Sequence, residues 1–100
     1  MSKYRVTPRA LSDLDSIADH TLARWGERQT EKYLSAMMAR FKWLGENPAA
    51  GRVRDEVGKG YRSYRQGSHL IFYVIDGGIV VIIGIPHGAM DIDAFFQSPG

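Results

Sequence analysis

The sequence contains no cysteine, no long apolar run and, after residue 65, no lysine or arginine. Without cysteine there can be no disulfide, thiolate nucleophile or Cys-ligated metal, and a reducing compartment is favoured, so we expect a cytoplasmic protein. The longest apolar run, residues 79–86, is too short to span a bilayer. No apolar run follows the basic residues near the N-terminus, as it would in a signal peptide.

The length and charge distribution indicate one soluble domain with an uneven surface. With 100 residues and an apolar fraction of 44%, we expect a single domain over residues 1–100. Residues 1–65 carry 13 basic and eight acidic side chains, a formal charge of +5, whereas residues 66–100 carry −3. This asymmetry suits an acidic partner, either protein or nucleic acid, but a solvated helical surface explains it equally well.

The N-terminal half predicts a short strand and two antiparallel helices. Apolar and charged side chains alternate over residues 2–6, as in a strand that pairs with the later sheet. Thr7 and Pro8 suit the start of a helix, and Gly26 suits its end. The apolar residues that recur at helical spacing are expected in the core: Leu11, Leu14, Ala18, Leu22 and Trp25 in the first helix, and Thr30, Leu34, Met37, Phe41 and Leu44 in the second, over residues 27–46.

Two features of the middle of the chain do not fit a helical core. At about 100° per residue, Trp43 lies about 140° from the centre of the apolar face of the second helix. Such a tryptophan is either half covered by a loop or a contact for another chain. Residues 49–60 place three glycines among charged residues and predict a mobile polar connection.

The C-terminal half predicts a three-stranded antiparallel meander. The segments 61–65, 69–75 and 79–85 are rich in β-branched and aromatic residues, and short glycine-containing breaks separate them. Together with the first strand and the helical hairpin, they give an α+β fold of order β-α-α-β-β-β.

The last two predicted strands are apolar on both faces. Two helices can cover only one face of the sheet, so the second face needs another cover. The C-terminal tail, with Ile92, Phe95 and Phe96, is one candidate and a partner chain is the other. Because the tail is short, we expect a partner to be needed.

Residues suited to catalysis are few. The three histidines have no carboxylate at a metal-binding interval, and neither a phosphate-binding glycine loop nor a serine-hydrolase elbow occurs, so we expect no metal and no cofactor. Arg62, Arg65, His69 and His87 cluster on the predicted sheet, where arginines can clamp a phosphate and histidine can move a proton, as RNA cleavage requires. The residues alone favour the other interpretation, in which these groups make structural hydrogen bonds and ion pairs.

The order of elements and motifs resembles the ParE branch of the RelE/ParE toxin superfamily over nearly the whole chain. The matching positions are Asp13, Leu14, Ile17, Trp25, Gly26, Asn47, Pro48, Gly51, Arg52, Gly60, Tyr61, Arg62, Gly67, Ser68, His69, Phe72, Tyr73, His87, Met90 and Asp91. The resemblance implies a cytoplasmic toxin of a type II toxin–antitoxin system, of the kind that stabilises plasmids. It also implies a ParD-like antitoxin whose flexible C-terminal segment wraps the toxin and neutralises it.

The resemblance further implies a target. The ParE branch is associated with inhibition of DNA gyrase, and the RelE branch with ribosome-dependent mRNA cleavage. The RelE alternative fits less well, because Gly88 rather than tyrosine follows His87 and the tail offers no lysine or arginine. We therefore expect a gyrase inhibitor without catalytic residues, and no sequence-specific DNA binding by the toxin alone.

We expect the antitoxin or the target to contact the apolar, arginine-edged sheet face and the helical hairpin. An acidic amphipathic segment would lay apolar side chains there and place carboxylates near Arg62 and Arg65. The predicted contact residues are Trp43, Arg52, Arg54, Tyr61, Arg62, Tyr64, Arg65, His69, His87 and Met90.

Overall fold

The computed structural model describes residues 3–97 and confirms the α+β order. The elements are β1 (Tyr4–Val6), α1 (Pro8–Trp25), α2 (Glu27–Glu46), a 3-10 turn (Pro48–Ala50), β2 (Arg52–Val53), β3 (Arg62–Gln66), β4 (His69–Asp76), β5 (Ile79–Gly84) and α3 (Ile92–Gln97). β2 and α3 were not predicted, and residue 2, where the predicted first strand begins, lies outside the described residues. None of the described helices is both long and apolar enough to cross a membrane.

The five strands form one mixed sheet in the order β1-β5-β4-β3-β2. β3, β4 and β5 make the predicted antiparallel meander, and β2 extends it beyond β3. β1 pairs in parallel with β5, with Tyr4 opposite Val80 and Val6 opposite Ile82, so the first strand joins the meander as predicted.

The helical hairpin turns on a single glycine. Thr7 caps α1, since its hydroxyl oxygen accepts a hydrogen bond from the Ala10 amide at 3.2 Å. Gly26 ends α1 and begins α2 at a φ of 85°, a conformation that favours glycine. Its carbonyl accepts the Thr30 hydroxyl at 2.8 Å. These contacts confirm the predicted helix boundaries.

The core between the helices and the sheet contains the predicted face of α2. Thr30, Met37, Phe41 and Leu44 are buried there, and Leu34 is half-buried. The prediction for α2 is therefore confirmed along its length.

The predicted core face of α1 is wrong for three of its five residues. Leu11, Leu22 and Trp25 are 50%, 47% and 64% exposed. Consecutive residues of a helix point about 100° apart. The side of α1 with the largest apolar residues therefore need not be the side that faces the core. Of the predicted face, Leu14 packs against the core; the other side chains that meet it lie one position before predicted residues: Ala10, Ile17 and Thr21. α1 thus carries a second apolar line that faces solvent.

The second face of the sheet is covered by the chain itself, so the expectation that a partner must cover it is wrong at the centre. Phe72 is fully buried and Val81 is 4% exposed. The Phe96 ring of α3 packs 5.0 Å from the Phe72 ring, and Gly84 has no side chain to keep Phe95 and Phe96 away. The two adjacent aromatic rings cover more of the sheet than we expected from so short a tail.

A buried tyrosine holds the connection after α2 against the sheet. The Tyr73 hydroxyl donates to the Pro48 carbonyl at 2.7 Å and accepts the Gly51 amide at 2.7 Å. Burial raises the pKa of Tyr73, which keeps the hydroxyl protonated and able to donate. Part of residues 49–60 is therefore fixed rather than mobile.

Candidate interaction surfaces

The ten predicted contact residues do not form one surface. The structure divides them among a ring patch beside α2, an aromatic cluster beneath α3 and a histidine cleft at the end of the sheet. Two exposed arginines, Arg52 and Arg65, lie outside these groups. Arg52 is on the edge strand β2, and the Arg65 guanidinium lies 3.0 Å from the position that a Cβ would take at Gly88.

The ring patch consists of Arg40, Trp43, Arg62 and Tyr64. The Trp43 and Tyr64 rings are 5.4 Å apart, and the Arg40 guanidinium lies 4.9 and 4.8 Å from their centroids. Trp43 is 37% exposed, so it lies off the core as predicted, and strand β3 rather than a loop covers its other side. Arg40 was missed by the sequence analysis; its position three residues before an off-core tryptophan was the available signal.

Arg62 is already engaged within the chain. Its guanidinium donates to the Gly51 carbonyl at 2.9 Å and to the Ala49 carbonyl at 3.4 Å. A change at Arg62 would therefore disturb the connection that Tyr73 also holds. Arg65 offers a cleaner test of charge on β3, because it is exposed.

The aromatic cluster beneath α3 contains two of the predicted residues. The Tyr61 ring packs 5.3 Å from Phe96, and the Arg54 guanidinium lies 5.1 Å from the Phe72 centroid. Arg54 also donates to the Ser63 hydroxyl at 3.0 Å and pairs with Glu56 at 2.7 Å, which lowers the pKa of Glu56. Tyr61 and Arg54 therefore support the fold beneath α3.

The histidine cleft lies where α1, the start of α2 and the ends of β4 and β5 meet. Two cavities, of about 520 and 540 Å³, share His20, Thr21, His69 and His87 in their walls. Met90, which is 52% exposed, lines the second cavity. The sequence placed His69 and His87 near one another, and their rings are 5.3 Å apart. His20 was missed because it lies on a helix, distant in sequence from the strands.

His69 is held in its neutral form. Its Nδ1 lies 2.7 Å from the Tyr33 hydroxyl, which also accepts the Ser68 amide at 2.9 Å. Burial, followed by the nearby His87 and His20 rings, lowers the pKa of His69 to about 4. A neutral imidazole cannot serve as a general acid near neutral pH. Among the described residues, no group of three or more candidate ligands is arranged to hold a metal ion.

This cleft predicts a pH-dependent stability. The unfolded histidine takes up a proton near pH 6.5, whereas native His69 does so only near 4. Between these values the unfolded state binds more protons, so the free energy of unfolding should fall as the pH is lowered. The full shift corresponds to about 3 kcal/mol, and because the ring is only half-buried we expect about 1–2 kcal/mol. Urea unfolding at several pH values between 7 and 5 would measure it.

The His69→Gln variant is the control for this prediction, since glutamine can still hydrogen-bond Tyr33 but does not titrate. Its stability should be nearly flat over the same range. Asp13 accepts the Ile85 amide at 2.9 Å, and burial raises its pKa. Its protonation favours the native state and opposes the effect at lower pH, which is why the range stops at 5. An equal slope for wild type and His69→Gln would show that His69 is not responsible.

The hairpin stripe is an exposed apolar surface, and the sequence analysis assigned its α1 residues to the core. It consists of Leu11, Leu22 and Trp25 on α1 and Met38 on α2, all more than 40% exposed. The two helices are antiparallel, so residues separated from Gly26 by the same number of positions lie side by side. Met38 therefore lies beside Leu14 of α1. Half-buried apolar side chains lie between the exposed ones: Leu14, Ala18 and Leu34. The stripe therefore forms a shallow apolar groove between the two helices.

Comparisons with known proteins agree along nearly the whole chain. The family model described as the ParE toxin of the type II toxin–antitoxin system, parDE, matches residues 4–92. Toxin ParE1 of Mycobacterium tuberculosis is 38% identical over 93 residues, which cover 92% of this chain and 95% of the relative. Toxin ParE1 of Caulobacter vibrioides is 35% identical over 94 residues, or 94% and 97% of the two chains.

A solved structure gives the same result for the fold. A chain of the chromosomal ParDE TA system from P. aeruginosa superposes with a TM-score of 0.74 over 84% of this chain and 92% of its own length. At 24% identity this likeness bears on the fold alone. The chain belongs to the ParE toxin family of type II toxin–antitoxin systems.

Proposed function

We propose that this toxin inhibits DNA gyrase and that a ParD-like antitoxin neutralises it by wrapping the helical hairpin and the sheet. The observation that supports an antitoxin is the hairpin stripe. Exposed leucine, tryptophan and methionine side chains along two adjacent helices fit the apolar face of an amphipathic helix from another chain. In the part of the chain that the structure describes, no element covers this groove.

Charges of both signs surround the stripe, since the exposed cations described next stand beside the exposed carboxylates of Asp15, Asp19, Glu27 and Glu31. Arg24 stacks 5.5 Å from the Trp25 ring at one end of the groove, and Arg28 and Lys32 are exposed on the first turns of α2. Carboxylates on the polar side of the antitoxin helix would lie near these cations. Of the ten residues predicted from the sequence, the exposed ones are kept in this proposal as contacts: Trp43, Arg52, Arg65, His87 and Met90.

The buried or engaged residues are given a different role in this proposal. Tyr61, Arg54 and Arg62 make contacts within the chain, so they shape the surface that a partner meets. Tyr64 and His69 are half-buried and contribute only their accessible edges. The proposed antitoxin contact thus moves from the centre of the second sheet face to the hairpin and the exposed sheet edges.

Inhibition of gyrase rests on membership of the ParE family. It agrees with a neutral His69, which cannot serve as a general acid near neutral pH. We therefore propose an inhibitor rather than a catalyst.

A supercoiling assay tests this proposal. We expect purified toxin, in molar excess, to abolish ATP-dependent supercoiling by gyrase, and we expect prior addition of the antitoxin to restore it. Relaxation by a type I topoisomerase is the control and should not change.

Unchanged supercoiling would overturn the gyrase proposal. If the toxin still arrests growth, primer extension on cellular mRNA would decide the RelE-type alternative. Codon-phased cuts that disappear in the His87→Ala variant would indicate a ribosome-dependent endoribonuclease instead.

A further inference from the structure

We infer that the ring patch binds single-stranded nucleic acid. A base would stack on the exposed side of Trp43 and Tyr64, and Arg40 and Arg62 would contact the flanking phosphates. The inference goes beyond the proposed function and does not depend on gyrase being the target, because its test uses the toxin and an oligonucleotide alone.

The patch is organised before any ligand arrives. The Arg40 Nε donates to the Gln66 side-chain oxygen at 2.9 Å, which fixes the guanidinium against the two rings. No described residue forms a hydrogen bond or ion pair with its terminal nitrogens. An arginine held in this way loses little side-chain entropy when it binds a phosphate.

The second cation, Arg62, lies along the same strand; its Nη1 donates to the Gly51 and Ala49 carbonyls, so it would contact a phosphate through its other nitrogens. Arg62 and Tyr64 are two residues apart on β3, so their side chains point to the same face about 6.6 Å apart along the strand. Trp43 is 37% exposed, which leaves room for a base to stack. The exposed carboxylate of Glu46, one turn after Trp43, opposes phosphate binding on that side, so the phosphates are expected on the β3 side.

The chemistry of the patch suits nucleic acid. A base needs an exposed aromatic surface with cations beside it, and Trp43, Tyr64 and Arg40 supply both. Stacking of this kind tolerates any base, which agrees with the expectation of no sequence-specific DNA binding.

Tryptophan fluorescence gives a direct test. The chain has two tryptophans, and Trp25→Phe leaves Trp43 as the only emitter. Trp25 is 64% exposed, so this change should leave the fold intact. We expect oligothymidylate and oligouridylate of about 12 nucleotides to quench Trp43 saturably at about 50 mM salt. Both should bind, because stacking and phosphate pairing do not involve the 2′-hydroxyl.

Two variants on α2 separate the patch from general charge attraction. Arg40→Gln should weaken binding about tenfold and reduce the slope of log K against log salt by about 0.7, the loss of one phosphate contact. Arg28→Gln removes the same charge from an exposed site elsewhere on α2 and should weaken binding less than about twofold. Thermal melting of both variants, compared with the parent, verifies that they are folded.

Three outcomes would overturn the inference. The first is Trp43 emission that no oligonucleotide changes, and the second is equal weakening by Arg40→Gln and Arg28→Gln. The third is an antitoxin that shields Trp43 from a soluble quencher while the oligonucleotides do not, since the patch would then be a protein interface.

Discussion

Replacing Gly51 with alanine is expected to destabilise the toxin by about 3 kcal/mol or more. A Cβ at this position would lie 2.3 Å from the Tyr73 hydroxyl oxygen and 2.7 and 2.8 Å from two ring carbons. The ring is fully buried and cannot move aside without disturbing the core. The added methyl group would therefore break the two hydrogen bonds through which Tyr73 holds Pro48 and Gly51. Urea unfolding of both proteins would measure the difference.

A double-mutant cycle with Tyr73→Phe separates the clash from the hydrogen bonds. Phenylalanine fits the same space but leaves the Gly51 amide and the Pro48 carbonyl unpaired, so we expect Tyr73→Phe alone to cost about 1–3 kcal/mol. The double variant should cost less than the sum of the two single variants, because the closest contact is with the hydroxyl that phenylalanine lacks. Additive losses would mean that the clash with the Tyr73 hydroxyl is not the cause.

A charge in the hairpin stripe is expected to weaken antitoxin binding about 30- to 1,000-fold, or about 2–4 kcal/mol. Leu22→Glu and Met38→Glu each place a carboxylate where the proposed antitoxin lays its apolar face. Leu22 is 47% and Met38 43% exposed in the free toxin, so either change should alter folding stability by less than about 1 kcal/mol. Calorimetric titration with the antitoxin would measure the loss, and co-expression should fail to restore growth.

Ala39→Glu is the matched control for these variants. Ala39 is exposed on α2, about 100° around the helix from Met38, and the substitution adds the same charge away from the groove. Its affinity for the antitoxin should stay within about threefold of wild type. If Leu22→Glu and Met38→Glu bind as tightly as Ala39→Glu, the antitoxin does not use the hairpin stripe.

The sequence predicted the elements of this fold better than their orientation. Local signals, such as Thr7, Pro8 and Gly26, act within one turn and correctly placed the helix boundaries. Which side of α1 is buried depends on how the helix packs against the sheet, and local sequence signals do not report that packing. Ala10 and Thr21 are buried because α1 lies close to β5, a distance that no local pattern reports.

The candidate surfaces show the same division. The proximity of His69 and His87 follows from strand order, so the sequence could predict it. The ring patch and the hairpin stripe depend on how the helices pack on the sheet. For that reason Arg40 was missed and Leu22 was wrongly assigned to the core. The tail was predicted to be too short to cover the second face of the sheet. That prediction used the number of residues in the tail, whereas the surface area of the Phe95 and Phe96 rings decides how much of the sheet it covers.

The parallel pairing of β1 with β5 has a consequence for how the toxin comes into being. Residues 4–6 find their strand partner only at residues 80–82, so the ends of the chain must meet before the sheet is complete. Closing a loop of that length is slow compared with forming the hairpin of α1 and α2. A ribosome must therefore release residues 4–82 before any native toxin exists, and an antitoxin that is already present can meet each molecule as it matures.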